Sequence, residues 1–262
     1  MKNGRDNASA VFRTRESDEC AAGKPLYTAM GSYRHDTAKT KSDTFNLGTL
    51  VHRRCSRDRE YCAENNTRFW RLSARAVSGP VSRPGDRDLA GRVQKLLEPL
   101  PVRSDERWGL DHGTWSVLRH LYPQADIPVV QLSIDGTQPA SFHYETGRRL
   151  APLREEGVLI LGSGNVVHNL HAYAWGRHAP EPYDWAVSFE NRVRELLVAG
   201  EYKPLVNYEH HLGSEAELAV PTPDHYLPLL YVAGTRTQTE PLTFPIEGVD
   251  GGSVSMLTVQ VG

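Results

Sequence analysis

Apolar residues recur with a clear period only from about residue 86 onward. Leu89, Val93, Leu96 and Leu97 fall on one face of a helix, and Pro99-Leu100-Pro101 stops it. Ile127 to Ile134 reads as a strand with Pro128 near its start. Phe142 to Leu153 has helical spacing, with Arg148 and Arg149 near its end. Val158-Leu159-Ile160-Leu161 is a short continuous apolar run, the pattern of a buried strand. Trp185 to Ala199 is strongly amphipathic and ends at Gly200. Tyr226 to Val232 reads as a helix after Pro221-Thr222-Pro223-Asp224, and Ser253 to Val261 alternates as a final strand. Strands alternating with helices predict an α/β fold: a single layered domain with a largely parallel central sheet flanked by helices.

The first 85 residues do not share this order. Ala38 to Thr44 is polar without period, and Val51 to Arg59 packs charges around single apolar residues. No amphipathic helix or convincing strand emerges, so the segment is expected to be irregular or disordered. Phe69-Trp70 sits poorly with that expectation. The predicted organisation is therefore an aberrant segment at 1–85 and an α/β domain at 86–262.

Composition sharpens the division. The 262 residues carry a net charge of only −2, yet residues 1–80 hold 15 Lys and Arg against 9 Asp and Glu, and the remainder 15 against 23. Nothing in that balance points to nucleic acid or an anionic membrane as a partner. No run approaches the roughly 18 apolar residues of a membrane span, and no apolar core follows Met1-Lys2-Asn3-Gly4-Arg5-Asp6 to make a signal peptide. A cytoplasmic location is the expectation. Cys20, Cys55 and Cys62 fit no zinc spacing and read as stray thiols.

The chemistry gathers in four histidine-bearing stretches. They are Trp108 to Trp115 with Asp111-His112-Gly113, Gly164-Asn165-Val166-Val167-His168-Asn169-Leu170, Asn207 to His211, and Pro221 to Leu230 with Asp224-His225. A buried strand ending in Gly-Ser-Gly-Asn and then presenting His168 is a site geometry, because ligands sit beyond the carboxyl ends of strands in open α/β sheets. Neutral imidazole suits divalent iron and zinc. A lone histidine is more often structural, but several in Gly/Pro-rich loops shift that balance toward function. His210-His211 reads as a solvated pair, since adjacent positions point apart.

Together these stretches resemble the class III extradiol ring-cleavage dioxygenases, in the 4,5-DOPA-dioxygenase-like branch of the LigB superfamily. The resemblance is carried by WGLDHGTWSVL (108–118), PVVQLSID (128–135), SGNVVHNL (163–170), PLVNY (204–208), PTPDHYLPLLYV (221–232) and GSVSMLTVQVG (252–262). It implies oxidative opening of a catechol-type ring by O2 at one divalent ion, Fe(II) or Zn(II). It further implies that His168 and His225 are metal ligands and that His112 is the catalytic acid/base. The bland reading of His112 is a structural hydrogen bond between Trp108 and Trp115. The substrate implied is a small DOPA-like aromatic diol.

The family's N-terminal motifs His-Gly-Ser-Pro-Met-Asn and Ser-Ala-His-Trp, which carry two further metal-site histidines, are missing from this chain. The genetic code suggests why. Codons for Leu47-Gly48-Thr49-Leu50-Val51, read one nucleotide later, permit Ser-Ala-His-Trp. The same shift over Thr14 to Ala21 permits His-Gly-Ser-Pro-Met-Asn-Ala-Leu. Over Asn65 to Ser73 it permits Thr-Ile-His-Asp-Phe-Gly-Gly-Phe-Pro, a third family signature. Roughly residues 11–85 are thus expected to be an out-of-frame translation; the competing explanation is a divergent N-terminal segment.

Two other functions stay open on sequence alone. One is an inactive remnant that binds an aromatic ligand or partner without catalysis. The other, a zinc hydrolase built on the same histidines, lacks an obvious carboxylate base beside His168.

Overall fold

The computed structural model describes residues 9–13, 26–28, 85–105, 110, 112–125, 127–176 and 181–262, with 9–13, 26–28 and 112 described by their backbone. Cys20, Cys55, Cys62 and Phe69-Trp70 lie outside these residues. Among the described residues the helices are α1 (Arg87–Leu97), α2 (His112–Leu121), α3 (Ala140–Leu150), α4 (Pro152–Glu155), α5 (Asp184–Ala199), α6 (Tyr202–Val206), α7 (Tyr208–His211), α8 (Glu215–Ala219) and α9 (Leu227–Thr235). The strands are β1 (Ser9–Arg13), β2 (Leu26–Thr28), β3 (Val129–Ser133), β4 (Leu159–Gly162), β5 (Leu242–Ile246), β6 (Val249–Asp250), β7 (Val254–Ser255) and β8 (Thr258–Val261).

Periodicity located most elements after residue 86. Asp86 caps α1 by accepting a 2.8 Å hydrogen bond from the Leu89 N–H, and Leu89, Val93 and Leu97 are its buried face. Helix α5 ends on Gly200, whose φ of 71° is the left-handed conformation a helix C-terminus favours. The helix expected from Phe142 to Leu153 is divided: Pro152 opens the separate short helix α4. The strand expected from Ser253 to Val261 is likewise interrupted between β7 and β8. Strand β5 and the short helices α6 to α8 carry too few periodic apolar residues to announce themselves.

Among the described residues the expected largely parallel sheet is not what forms. The two three-stranded sheets have the orders β3-β1-β4 and β2-β8-β5, and every registered ladder is antiparallel. Strands β3 and β4 do point the same way, because each runs opposite to β1. They are joined through α3 and α4, as a crossover between co-directional strands requires. β1 pairs between them, so no parallel ladder is made. Hydrophobic runs report burial, not the sense of the neighbour. The expectation of no strand before residue 85 is also corrected, since β1 and β2 both lie there.

The centre of the core is α9. All nine of its residues are buried, and it packs against α3 and β4. The approach to α3 is so close that a Cβ on Gly147 would overlap the Tyr231 carbonyl, and one on Gly234 the Tyr144 carbonyl. At β4, a Cβ on Gly162 would lie 2.7 Å from the Pro228 oxygen. These glycines let α9 lie flat on its neighbours, which brings its N-terminal end to the carboxyl end of β4.

Candidate metal centre

The chain leaves β4 into Ser163-Gly164-Asn165-Val166-Val167-His168, every residue of which is buried. Burial of irregular backbone demands partners for its polar groups. The Asn165 N–H donates to the His225 carbonyl at 2.9 Å, and the His168 N–H to the Ala219 carbonyl at 2.8 Å. His168 also bridges Val254 in antiparallel fashion, and the Ser255 N–H donates to the Val167 carbonyl at 2.9 Å. The segment is therefore held between the β6–β7 hairpin on one side and the stretch leading into α9 on the other.

Pro223–His225 forms a single 3₁₀ turn ahead of α9. This turn places His225 against His168. Their rings stack with centroids 3.4 Å apart and planes 10° from parallel, and the residues are only 6% and 3% exposed. His225 Nδ1 lies 3.2 Å from Asn165 Oδ1. Asp224 reaches the same place: its Oδ2 is 3.8 Å from His225 Nε2, buried, and has no hydrogen-bond partner. Burial pushes the Asp224 carboxyl above the usual carboxylate range, opposed by hydrogen bonds from Thr222 and its own backbone and by the nearness of His168.

His112 opens α2. Next to it, the Gly113 carbonyl accepts a 3.3 Å hydrogen bond from Ser163 Oγ, and Thr114 Oγ1 donates to Gln131 Oε1 on β3 at 3.0 Å. The backbone beside His112 is thereby tied to the segment that carries His168. His210 and His211 end α7 on the surface, as expected of a solvated pair.

Sequence reasoning missed the polar frame around the two rings. Asn165 binds His225 through backbone and side chain, and its Nδ2 donates to the Ser255 carbonyl at 2.7 Å. Ser255 Oγ in turn donates to Glu190 Oε2 at 2.5 Å. Burial raises the Glu190 carboxyl, partly offset by hydrogen bonds from Ser255 and the Gly248 backbone. Asn165 stood in a quoted motif, but nothing local announced its partners, which lie 60 and 90 positions away.

In donor type, two buried imidazoles beside an unpartnered carboxylate oxygen suit a divalent ion such as iron or zinc. Among the described residues no group of three or more His, Cys, Asp or Glu is placed to hold a metal. No described helix is long and apolar enough to cross a membrane.

Residues 58–243 match the family described as the catalytic LigB subunit of aromatic ring-opening dioxygenase. That match begins inside the segment the sequence set apart. A 4,5-DOPA dioxygenase extradiol from Escherichia coli strain K12 is 52% identical over 183 residues, covering 68% of this chain and 66% of the relative. The protein of the same name from Beta vulgaris is 36% identical over 190 residues, covering 71% and 70%. The chain thus spans about two thirds of the length of these curated relatives. A crystal structure of an uncharacterized protein, JW3007, from Escherichia coli K12 superposes with a TM-score of 0.65 at 48% identity, covering 71% of this chain and 76% of that one. By motif order, fold and family match, the chain belongs to the LigB family of aromatic ring-opening dioxygenases.

Proposed function

We propose that the site built on residues 86–262 is that of an extradiol ring-cleavage dioxygenase acting on a DOPA-like catechol with O2. The observation that carries this reading is the stacked, buried pair His168 and His225 at the carboxyl end of β4. These two residues would hold one divalent ion, iron(II) or zinc. When bound, the ion supplies a centre on which catechol and dioxygen lie side by side and exchange electrons. The protein's own part is to keep both imidazoles fixed, exclude water and move protons.

His112 takes the last role in this reading. A neutral imidazole can accept the catechol proton and later return it. Its position at the start of α2, beside the Gly113–Ser163 hydrogen bond, supports that assignment. Both oxygen atoms of O2 end in the ring-opened product, so no external reductant is consumed.

The two further family histidines would come from the shifted frame of residues 11–85. The test therefore uses two proteins: the chain as written and one with that frame restored. Oxygen uptake and product absorbance on DOPA are measured with added Fe(II) and with Zn(II). The restored chain is expected to cleave the ring. His168→Ala and His225→Ala are each expected to lower its rate at least about 100-fold, since each removes a ligand. A restored, folded and metal-loaded chain that leaves DOPA and simpler catechols intact would sink the proposal. It would favour the remnant that binds an aromatic ligand without catalysis.

A further inference from the structure

Asn165 sits where two demands meet. Its Nδ2 donates to the Ser255 carbonyl at 2.7 Å, and its Oδ1 faces His225 Nδ1 at 3.2 Å. A backbone carbonyl only accepts, so the amide cannot be turned over without setting two oxygens against each other. Oδ1 also only accepts. The hydrogen in the second bond must therefore belong to the ring: His225 Nδ1–H donates to Asn165. A neutral ring protonated at Nδ1 carries its lone pair on Nε2. That is the nitrogen on the side of Asp224 Oδ2.

We propose that Asn165 is a positioning residue that fixes the tautomer of His225, keeping Nδ1 protonated and the lone pair on Nε2. The neighbours make this a rigid setting. Asn165 also holds the His225 backbone, through its N–H to the His225 carbonyl at 2.9 Å. Ser255 is itself anchored on both sides, by its N–H to the Val167 carbonyl and its Oγ to Glu190. Asn165 is 1% exposed, so water does not compete for its amide. An outer partner that fixes tautomer and ring orientation is how metal-binding histidines are commonly prepared. The purpose assigned to the Nε2 lone pair rests on the proposed function; the tautomer rests on the hydrogen bonds alone.

The test reads the tautomer directly. Long-range ¹H–¹⁵N correlation spectra are recorded on the full ¹⁵N-labelled chain without metal or substrate. The His225 ring is assigned by the loss of its signals in His225→Gln. A protonated Nδ1 and bare Nε2 are expected in the parent. Asn165→Ala is expected to release the ring toward the Nε2–H form and to weaken Zn(II) binding, followed by chelator competition, by about 10–100-fold. Asn165→Asp, which keeps an acceptor for Nδ1–H, is expected to restore the parent tautomer. An Nε2–H ring in the parent overturns the proposal even if Asn165→Ala fails to fold. So does a folded Asn165→Ala with unchanged tautomer and unchanged zinc affinity. Because these spectra need neither catechol nor oxygen, an absence of ring cleavage counts against the proposed function and not against this one.

Discussion

His143 shows how much one buried ring sets the conditions under which this chain folds. It lies on α3 with no exposed surface, its Nδ1 is 3.0 Å from the Tyr231 hydroxyl on α9, and its Nε2 has no partner. Burial lowers its pKa to about 4, against smaller upward pulls from the Gln138 backbone and Asp135. The sign follows from which state binds the proton first. Below about pH 6.5 the unfolded chain protonates this histidine while the folded chain does not, so stability falls until about pH 4. The contribution is fully present above pH 6.5, and the loss across that window is about 3 kcal/mol. Urea denaturation between pH 7 and pH 4 should show the parent losing about that much more than His143→Asn; parallel curves would refute the assignment. This ring was invisible as a special residue in the sequence, where it is one histidine in a helical stretch. His168 and His225 were legible because Gly, Asn and Pro mark their surroundings. Asn165 and Asp224 were named with them but given no role, since their partners are fixed only by the fold.

The elements meet most tightly where α9 crosses α3. Gly147 and Gly234 leave no room for a methyl group against the facing backbone, so Gly147→Ala or Gly234→Ala must push the helices apart. We expect each to cost about 3 kcal/mol by urea denaturation. Gly91 is the internal contrast, since it lies within α1 with nothing near its missing Cβ. Gly91→Ala should stabilise by about 0.5–1 kcal/mol. The short helix α4 is tied down differently. Arg154 donates to the Thr235 carbonyl at 2.7 Å and forms a two-pronged ion pair with Glu240. That hydrogen bonding holds the Glu240 carboxyl at about 2, well below its ordinary value. Its stabilisation is present above about pH 4.5 and lost as pH falls toward 2. Glu240→Gln should therefore cost about 2 kcal/mol at pH 7 and distinctly less at pH 2.5. Helix periods were legible because a one-sided helix must repeat its apolar residues. The glycine crossing was not, because a missing side chain leaves no pattern.

For the molecule as a whole, the question is what residues 1–85 supply. The chain as written has His168 and His225 but lacks the two upstream histidine motifs that the family resemblance implies. In place of a parallel neighbour for β3 and β4, β1 enters between them antiparallel. We expect the literal chain to bind Zn(II) or Fe(II) far more weakly than the frame-restored chain, to melt at lower temperature and to leave catechols intact. Metal analysis after dialysis, thermal unfolding and oxygen uptake check this, and ring cleavage by the pure literal chain would refute it. Reading the gene across codons 10–86 tests the cause, since codons that do not spell the family motifs one nucleotide later end the frameshift account. The sequence by itself identified the family this chain belongs to and put forward His112, His168 and His225 as its candidate site residues. It also located most helices and strands after residue 86. Such information is local: side-chain periods and short motifs are written in consecutive residues. Only the tertiary structure decided that His168 and His225 stack, that Asn165 bridges Ser255 and His225, and that the ladders among the described residues are antiparallel. Those facts depend on contacts between residues tens of positions apart, and chain spacing does not encode which distant groups burial will bring together.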